Sequence, residues 1–114
     1  MITIYGIRNC DTMKKTFAWL KKHKIEYQFH DFKKSGLDPA LLDEWITRIG
    51  WEPLLNRRGM MWRKLGDDVR ANIEINSARA IMLETPSIVK RPVLNSGDAL
   101  TLGFSEEKYR ELLL

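Results

Sequence analysis

Ile2-Thr3-Ile4-Tyr5-Gly6-Ile7-Arg8-Asn9-Cys10-Asp11-Thr12 alternates apolar and polar residues and then breaks into a polar loop that holds the only cysteine of the 114-residue chain. Alternation of this kind signals a half-buried strand. Beyond it, from Thr12 to His23, Met13, Phe17 and Leu20 recur at helical spacing with lysines on the other faces. The order is therefore strand, loop, helix, with the thiol at the helix entrance. Unpaired backbone N–H groups and the positive end of the helix dipole gather there, which favours a thiolate. A lone cysteine is more often a small buried hydrophobe. Here Arg8, Asn9, Asp11 and Thr12 flank it, and that polar setting favours a nucleophile over a core residue.

Working outward, Ile25, Tyr27 and Phe29 alternate with Glu26, Gln28 and His30 in a second strand ending near Phe32, which completes a βαβ unit. Gly36 breaks the pattern. Asp38-Pro39 then offers an N-cap and a first-turn proline, and Leu41, Leu42, Trp45, Ile46 and Ile49 form an apolar stripe that Gly50 ends. From Trp51 to Thr85 the pieces are short and helical, punctuated by Gly59 and Gly66, with Ser77 expected to cap a segment running through Leu83. Pro86 closes this stretch. Ile88 to Leu94 reads as a strand with Pro92 at its start, Asn95-Ser96-Gly97-Asp98 as a turn, and Ala99 to Leu102 as the second arm of a hairpin. Ser105 caps a last helix with Tyr109, Leu112 and Leu113 on its apolar side. The expected architecture is α/β: a thioredoxin-like fold, βαβ then ββα, with a helical insertion. One domain covers 1–114, its core built from 1–33 and 86–114 and its insertion from 34–85.

Four Trp, four Phe and three Tyr are enough bulk for a core without disulfides. No apolar stretch reaches membrane-span length and no charged leader with a long apolar segment precedes the first strand, so a cytoplasmic protein away from membranes is expected. A net charge of +4, with Arg57-Arg58 and Arg63-Lys64 as clusters, is too small an excess to imply nucleic acid; a solvated exterior or an anion site explains it. His23 and His30 lie on different elements without a cysteine at ligand spacing, so no metal is expected.

Tyr5-Gly6-Ile7-Arg8-Asn9-Cys10-Asp11-Thr12, Leu54-Leu55-Asn56-Arg57-Arg58-Gly59, Trp62-Arg63-Lys64-Leu65, Lys90-Arg91-Pro92 and Leu102-Gly103-Phe104-Ser105 occur in that order along nearly the whole chain. Together they resemble the ArsC/Spx/YffB family of thioredoxin-fold, arsenate reductase-like proteins, nearest its YffB branch. The resemblance implies that Cys10 is the nucleophile, that Arg91 reaches it, and that the bond before Pro92 is cis. An arginine's planar donors suit a thiolate or an oxyanion, and a cis proline exposes backbone acceptors to a bound disulfide or peptide. Three positions depart from the arsenate reductases: their histidine after the tyrosine is Gly6, their arginine after the Leu-Leu pair is Asn56, with Arg57 or Arg58 able to stand in, and their last arginine falls near Gly103.

Met13 stands three residues after Cys10, so there is no Cys-x-x-Cys pair and a mixed disulfide needs an outside thiol. The resemblance to the YffB branch implies a glutathione-dependent thiol-disulfide reductase, an oxidoreductase acting on a small-molecule or protein disulfide with glutathione as reductant. Cys10 and Arg91 are its catalytic residues. Arg8, Asn9, Asp11, Thr12, Asn56, Arg58 and Pro92 are its substrate-binding residues. Arsenate reduction by the same thiolate is the alternative enzyme. A third reading, from Spx-type members that bind RNA polymerase, rests on Arg91-Pro92 and the last helix; those regulators normally switch through a cysteine pair and carry a basic tail, whereas this sequence ends at Leu114.

Overall fold

A computed structural model describes residues 1–114. In chain order the elements are β1 (Ile2–Gly6), α1 (Asp11–Lys22), β2 (Tyr27–Asp31), α2 (Phe32–Ser35), α3 (Pro39–Ile49), α4 (Trp51–Leu54), α5 (Met60–Arg63), α6 (Asp67–Ala71), α7 (Ile75–Glu84), β3 (Val93–Asn95), β4 (Leu100–Leu102) and α8 (Glu106–Leu113), with a 3-10 turn at Pro86–Ile88. The chain divides into two units: Met1–Ser35 with Arg91–Leu114, and Gly36–Lys90. No helix is long and apolar enough to cross a membrane.

The first unit is a mixed sheet in the order β2-β1-β3-β4, with helices, as in thioredoxin-like proteins. β1 runs parallel to β2 and antiparallel to β3, so Ile4 has Phe29 on one side and Leu94 on the other. The alternation of β1 turns Ile2, Ile4 and Gly6 inward. Against that face α1 buries Met13, Trp19 and Leu20, and α8 buries Tyr109. Trp19 and Tyr109 meet edge to face at 5.6 Å, and Phe17 stacks on Tyr27 at 5.7 Å, geometries that add to area burial. Thr16, the buried polar residue of α1, donates to the Thr12 carbonyl at 2.8 Å and so leaves no orphan hydroxyl.

In the second unit Asp38 accepts from the Leu41 N–H at 3.1 Å and Pro39 opens α3, while Gly50, at φ 105°, ends it in a conformation that side chains disfavour. Arg79 reaches Asp43 with two bonds, 2.6 and 3.1 Å, tying α7 to α3. Arg70 donates to the carbonyls of Arg63 and Leu65 and to Asp67, and so closes the end of α5.

Two sequence expectations need correction. Ser77 is not the cap of α7: Glu74 is, accepting from the Asn76 and Ser77 N–H groups, while Ser77 reaches back to the Glu74 N–H. Ile88 to Leu94 is not one strand. It is the end of the 3-10 turn, an antiparallel bridge between Val89 and Leu55, the Arg91-Pro92 step, and only then β3. The carbonyl of Ile88 accepts from the Asn56 N–H at 2.9 Å and the Lys90 N–H reaches the Leu54 carbonyl at 2.8 Å, so these backbone groups are satisfied away from the sheet.

Candidate active site

β1 ends at Gly6, buried Ile7 follows, and Arg8 and Asn9 turn out to solvent before Cys10 takes the N-cap of α1. Its backbone is extended, at φ −147° and ψ 133°, and its carbonyl accepts the first helical bond from the Lys14 N–H at 2.9 Å. Sulfur thus stands where a serine or aspartate oxygen usually sits. Cys10 is partly buried against the core of the sheet unit. That burial by itself raises its pKa. The Met13 N–H, the Arg91 guanidinium and the Thr12 N–H outweigh it and hold the thiol below its ordinary value.

Arg91 Nη2 lies 4.0 Å from Cys10 Sγ, an approach across 81 residues of sequence. Two constraints place it. Pro92, which follows a cis peptide bond, leads directly into β3, and the pairing of Val93 with Tyr5 of β1 is the first of these. The Pro92 carbonyl accepts from the Gly103 N–H at 2.9 Å, fixing the loop to the far end of β4.

The other expected site residues of this unit divide. Thr12 contributes through its amide, and Asp11 is the exposed first residue of the helix. Arg8 is exposed, with its guanidinium over the Phe29 ring, 5.1 Å from the centroid, and Arg91 supplies the charge beside the sulfur. Asn9 is exposed in the loop. Met13 was not among the expected residues, yet its N–H is the strongest of the groups that favour the anion. The signal available in the sequence was its place in the first turn, where helical amides have no partner.

In the second unit Asn56 accepts the Arg58 N–H at 3.2 Å, and the Arg58 carbonyl accepts from Arg63 at 2.9 Å. Arg57 lies between two rings, 5.8 Å from Trp51 and 5.4 Å from Trp62. Arg57, Arg58 and Lys90 line a cavity of about 370 Å³ with Asn56, Pro53 and Leu55, and no carboxylate faces it. Its charged lining is thus entirely basic.

A family model described as the ArsC family matches residues 5–112. The chain belongs to that family. It is 52% identical to an arsenate reductase (ArsC) related protein from Brucella melitensis over 99% of this chain and 95% of that one, with a TM-score of 0.81. It is 41% identical to a solved YffB protein, each chain covered in full, with a TM-score of 0.95. An uncharacterized protein of Haemophilus influenzae is 39% identical over 96% of both chains.

Within the ArsC family the two glycine positions have structural reasons. A Cβ on Gly6 would stand 2.7 Å from the Met13 sulfur, and Met13 is fully buried, so the side-chain space at this position is already filled. Gly103 has φ 77°, a conformation that disfavours any longer side chain there. Gly6→His is therefore expected to lower stability by about 1–3 kcal/mol, with Gly6→Ala intermediate, as overpacked cores do. Urea unfolding checks this. A histidine variant as stable as the parent would mean that Met13 yields freely.

Proposed function

We propose that this ArsC family member is a glutathione-dependent thiol-disulfide reductase with Cys10 as its nucleophile. The observation that carries the reading is the Cys10 thiol at the α1 cap, held below its ordinary pKa with Arg91 at 4.0 Å, in a chain with no second cysteine. The Cys10 thiolate attacks the glutathione sulfur of a glutathionylated substrate; the new bond is Cys10–S–S–glutathione and the substrate leaves as its thiolate, taking a proton from water. A second glutathione thiolate then attacks the glutathione sulfur of this mixed disulfide. Oxidised glutathione leaves and the Cys10 thiolate returns, so one substrate disulfide is reduced for each pair of glutathiones joined. Arg91 stabilises Cys10 as attacking and as leaving group, and its remaining donors suit a carboxylate of the incoming molecule.

Arsenate reduction by the same thiolate is the second reading, favoured by the likeness to the arsenate reductase related protein. Against it stand Gly6 and Gly103, which remove two polar side chains from the reductase pattern, and the filled space at Gly6. Oxidised glutathione is expected to add to Cys10 once per chain, and reduced glutathione to release it, as read by intact-mass spectrometry. Under one glutathione supply, exchange with a glutathionylated peptide should be fast and arsenate turnover weak or absent. Robust arsenate turnover with negligible exchange would install the second reading. Inactivity on both would favour a polymerase-binding regulator, and co-purification with RNA polymerase would then be the next measurement.

A further inference from the structure

We propose that a groove along α1 docks an extended acidic segment of a partner protein, the glutathionylated protein whose mixed disulfide Cys10 reduces. This deepens the reductase reading and rests on it for the identity of the partner. The groove lies within the sheet unit, between one stripe of α1 and the turn from β4 into α8, and has a volume of about 650 Å³. Thr12, Lys15, Trp19 and Lys22 line one side; Phe104 and Glu106 line the other. Half-buried Phe104 meets the buried Trp19 edge to face at 6.4 Å and supplies the aromatic part of the wall.

Lys15 and Lys22 are seven residues apart on one helix face, so they stand about 10 Å apart along it. Neither is ion-paired. The ion pairs Arg48–Glu44, Arg70–Asp67 and Arg79–Asp43 do not involve them, and Glu106 on the opposite wall does not pair with either. Across α1 as a whole, Lys14, Lys15, Lys21 and Lys22 face a single acidic residue, Asp11. The complement is an extended chain with acidic residues four positions apart, which share one face about 13 Å apart and lie within reach of two flexible lysine side chains. Between them an apolar side chain, two positions from each, would lie against Phe104. Free glutathione has carboxylates but no apolar side chain for that wall, which favours a protein segment.

The position also fits the chemistry. Thr12 begins the groove, and its amide is one of the groups that favour the Cys10 anion, so a segment lying along α1 brings its own chain to the thiol.

The test is fluorescence anisotropy with Cys10→Ser protein and a dye-labelled synthetic peptide in which glutamates flank a leucine, compared with its lysine-for-glutamate counterpart. The acidic peptide should bind and the basic one should not. Lys15→Glu/Lys22→Glu should weaken binding by about tenfold or more, and Lys15→Gln/Lys22→Gln by less. Lys33→Glu/Lys34→Glu, an equal change of charge on α2, should leave it unchanged. Equal losses in the two charge-reversed proteins would show general attraction to a basic surface and overturn the proposal. Displacement of the peptide by reduced glutathione would do the same, marking a small-molecule anion site, as would failure to bind at all. Because the binding measurement uses a protein without the thiol, failure of the redox reading leaves it intact. Normal exchange with oxidised glutathione in wild type, without peptide binding, would sink the docking site alone.

Discussion

Cys10→Ser protein should retain its fold and lose disulfide exchange by a factor on the order of 10³ or more, because no other thiol can form the mixed disulfide. The substitution separates chemistry from structure unusually well. Serine is a strong N-cap, so its hydroxyl can accept from the first-turn amides that now favour the sulfur anion, and α1 should start where it does in the parent. Circular dichroism and urea unfolding should match the wild-type protein while the rate with a glutathionylated peptide falls to background. Residual exchange within tenfold of wild type would remove Cys10 from the mechanism.

Arg91→Ala is expected to shift the titration of Cys10 upward, read as thiolate absorbance against pH or as the pH profile of alkylation by iodoacetamide. The sign follows from charge. A guanidinium beside the sulfur stabilises the anion, so its loss leaves partial burial, which favours the neutral thiol, opposed only by the Met13 and Thr12 amides. At neutral pH the thiolate fraction falls and alkylation slows by roughly several-fold, less than in proportion to that fraction, because a more basic thiolate is intrinsically more nucleophilic. Arg91→Lys should recover part of the shift, since it keeps the charge without the planar fork. An unchanged profile in both variants would reduce Arg91 to a residue of the loop before β3.

How far the sequence reveals this molecule depends on whether each signal is local. Asp38-Pro39 and Gly50 mark α3 correctly because capping, a fixed proline φ and a positive glycine φ are decided within a few residues. The order of β1, α1 and β2 is equally legible, since one alternating run and one helical stripe each bury a single face. The stretch from Ile88 to Leu94 misleads because a short apolar run looks the same whether it pairs in a sheet or is buried in a turn. At α7 the usual order of a capping box is inverted: Glu74 holds the cap position and Ser77 the third helical position, so a search for a serine followed by an acid starts the helix too late.

The site shows the same division. Cys10 at a helix start is written in its neighbours, whereas its contact with Arg91 depends on a strand pairing that no local pattern specifies. The family motifs supplied that contact and the cis bond, not periodicity. Arg8 and Arg57 look alike in the sequence as free cations. Which aromatic rings they cover, Phe29 for one and Trp51 and Trp62 for the other, is set by how the chain folds back.

The sheet unit is assembled from the two ends of the chain, with Ile4 beside Leu94 and Cys10 beside Arg91. On the ribosome this ordering has a chemical meaning. Residues 36–90 form a contiguous stretch and are made in one piece, but β1 has no β3 to pair with until nearly the whole chain has emerged. Without that pairing Cys10 lacks its arginine, and a thiol that also lacks the helical amides has only ordinary cysteine acidity. Full thiolate stabilisation at Cys10 therefore requires the closed sheet unit, with both of its segments in place.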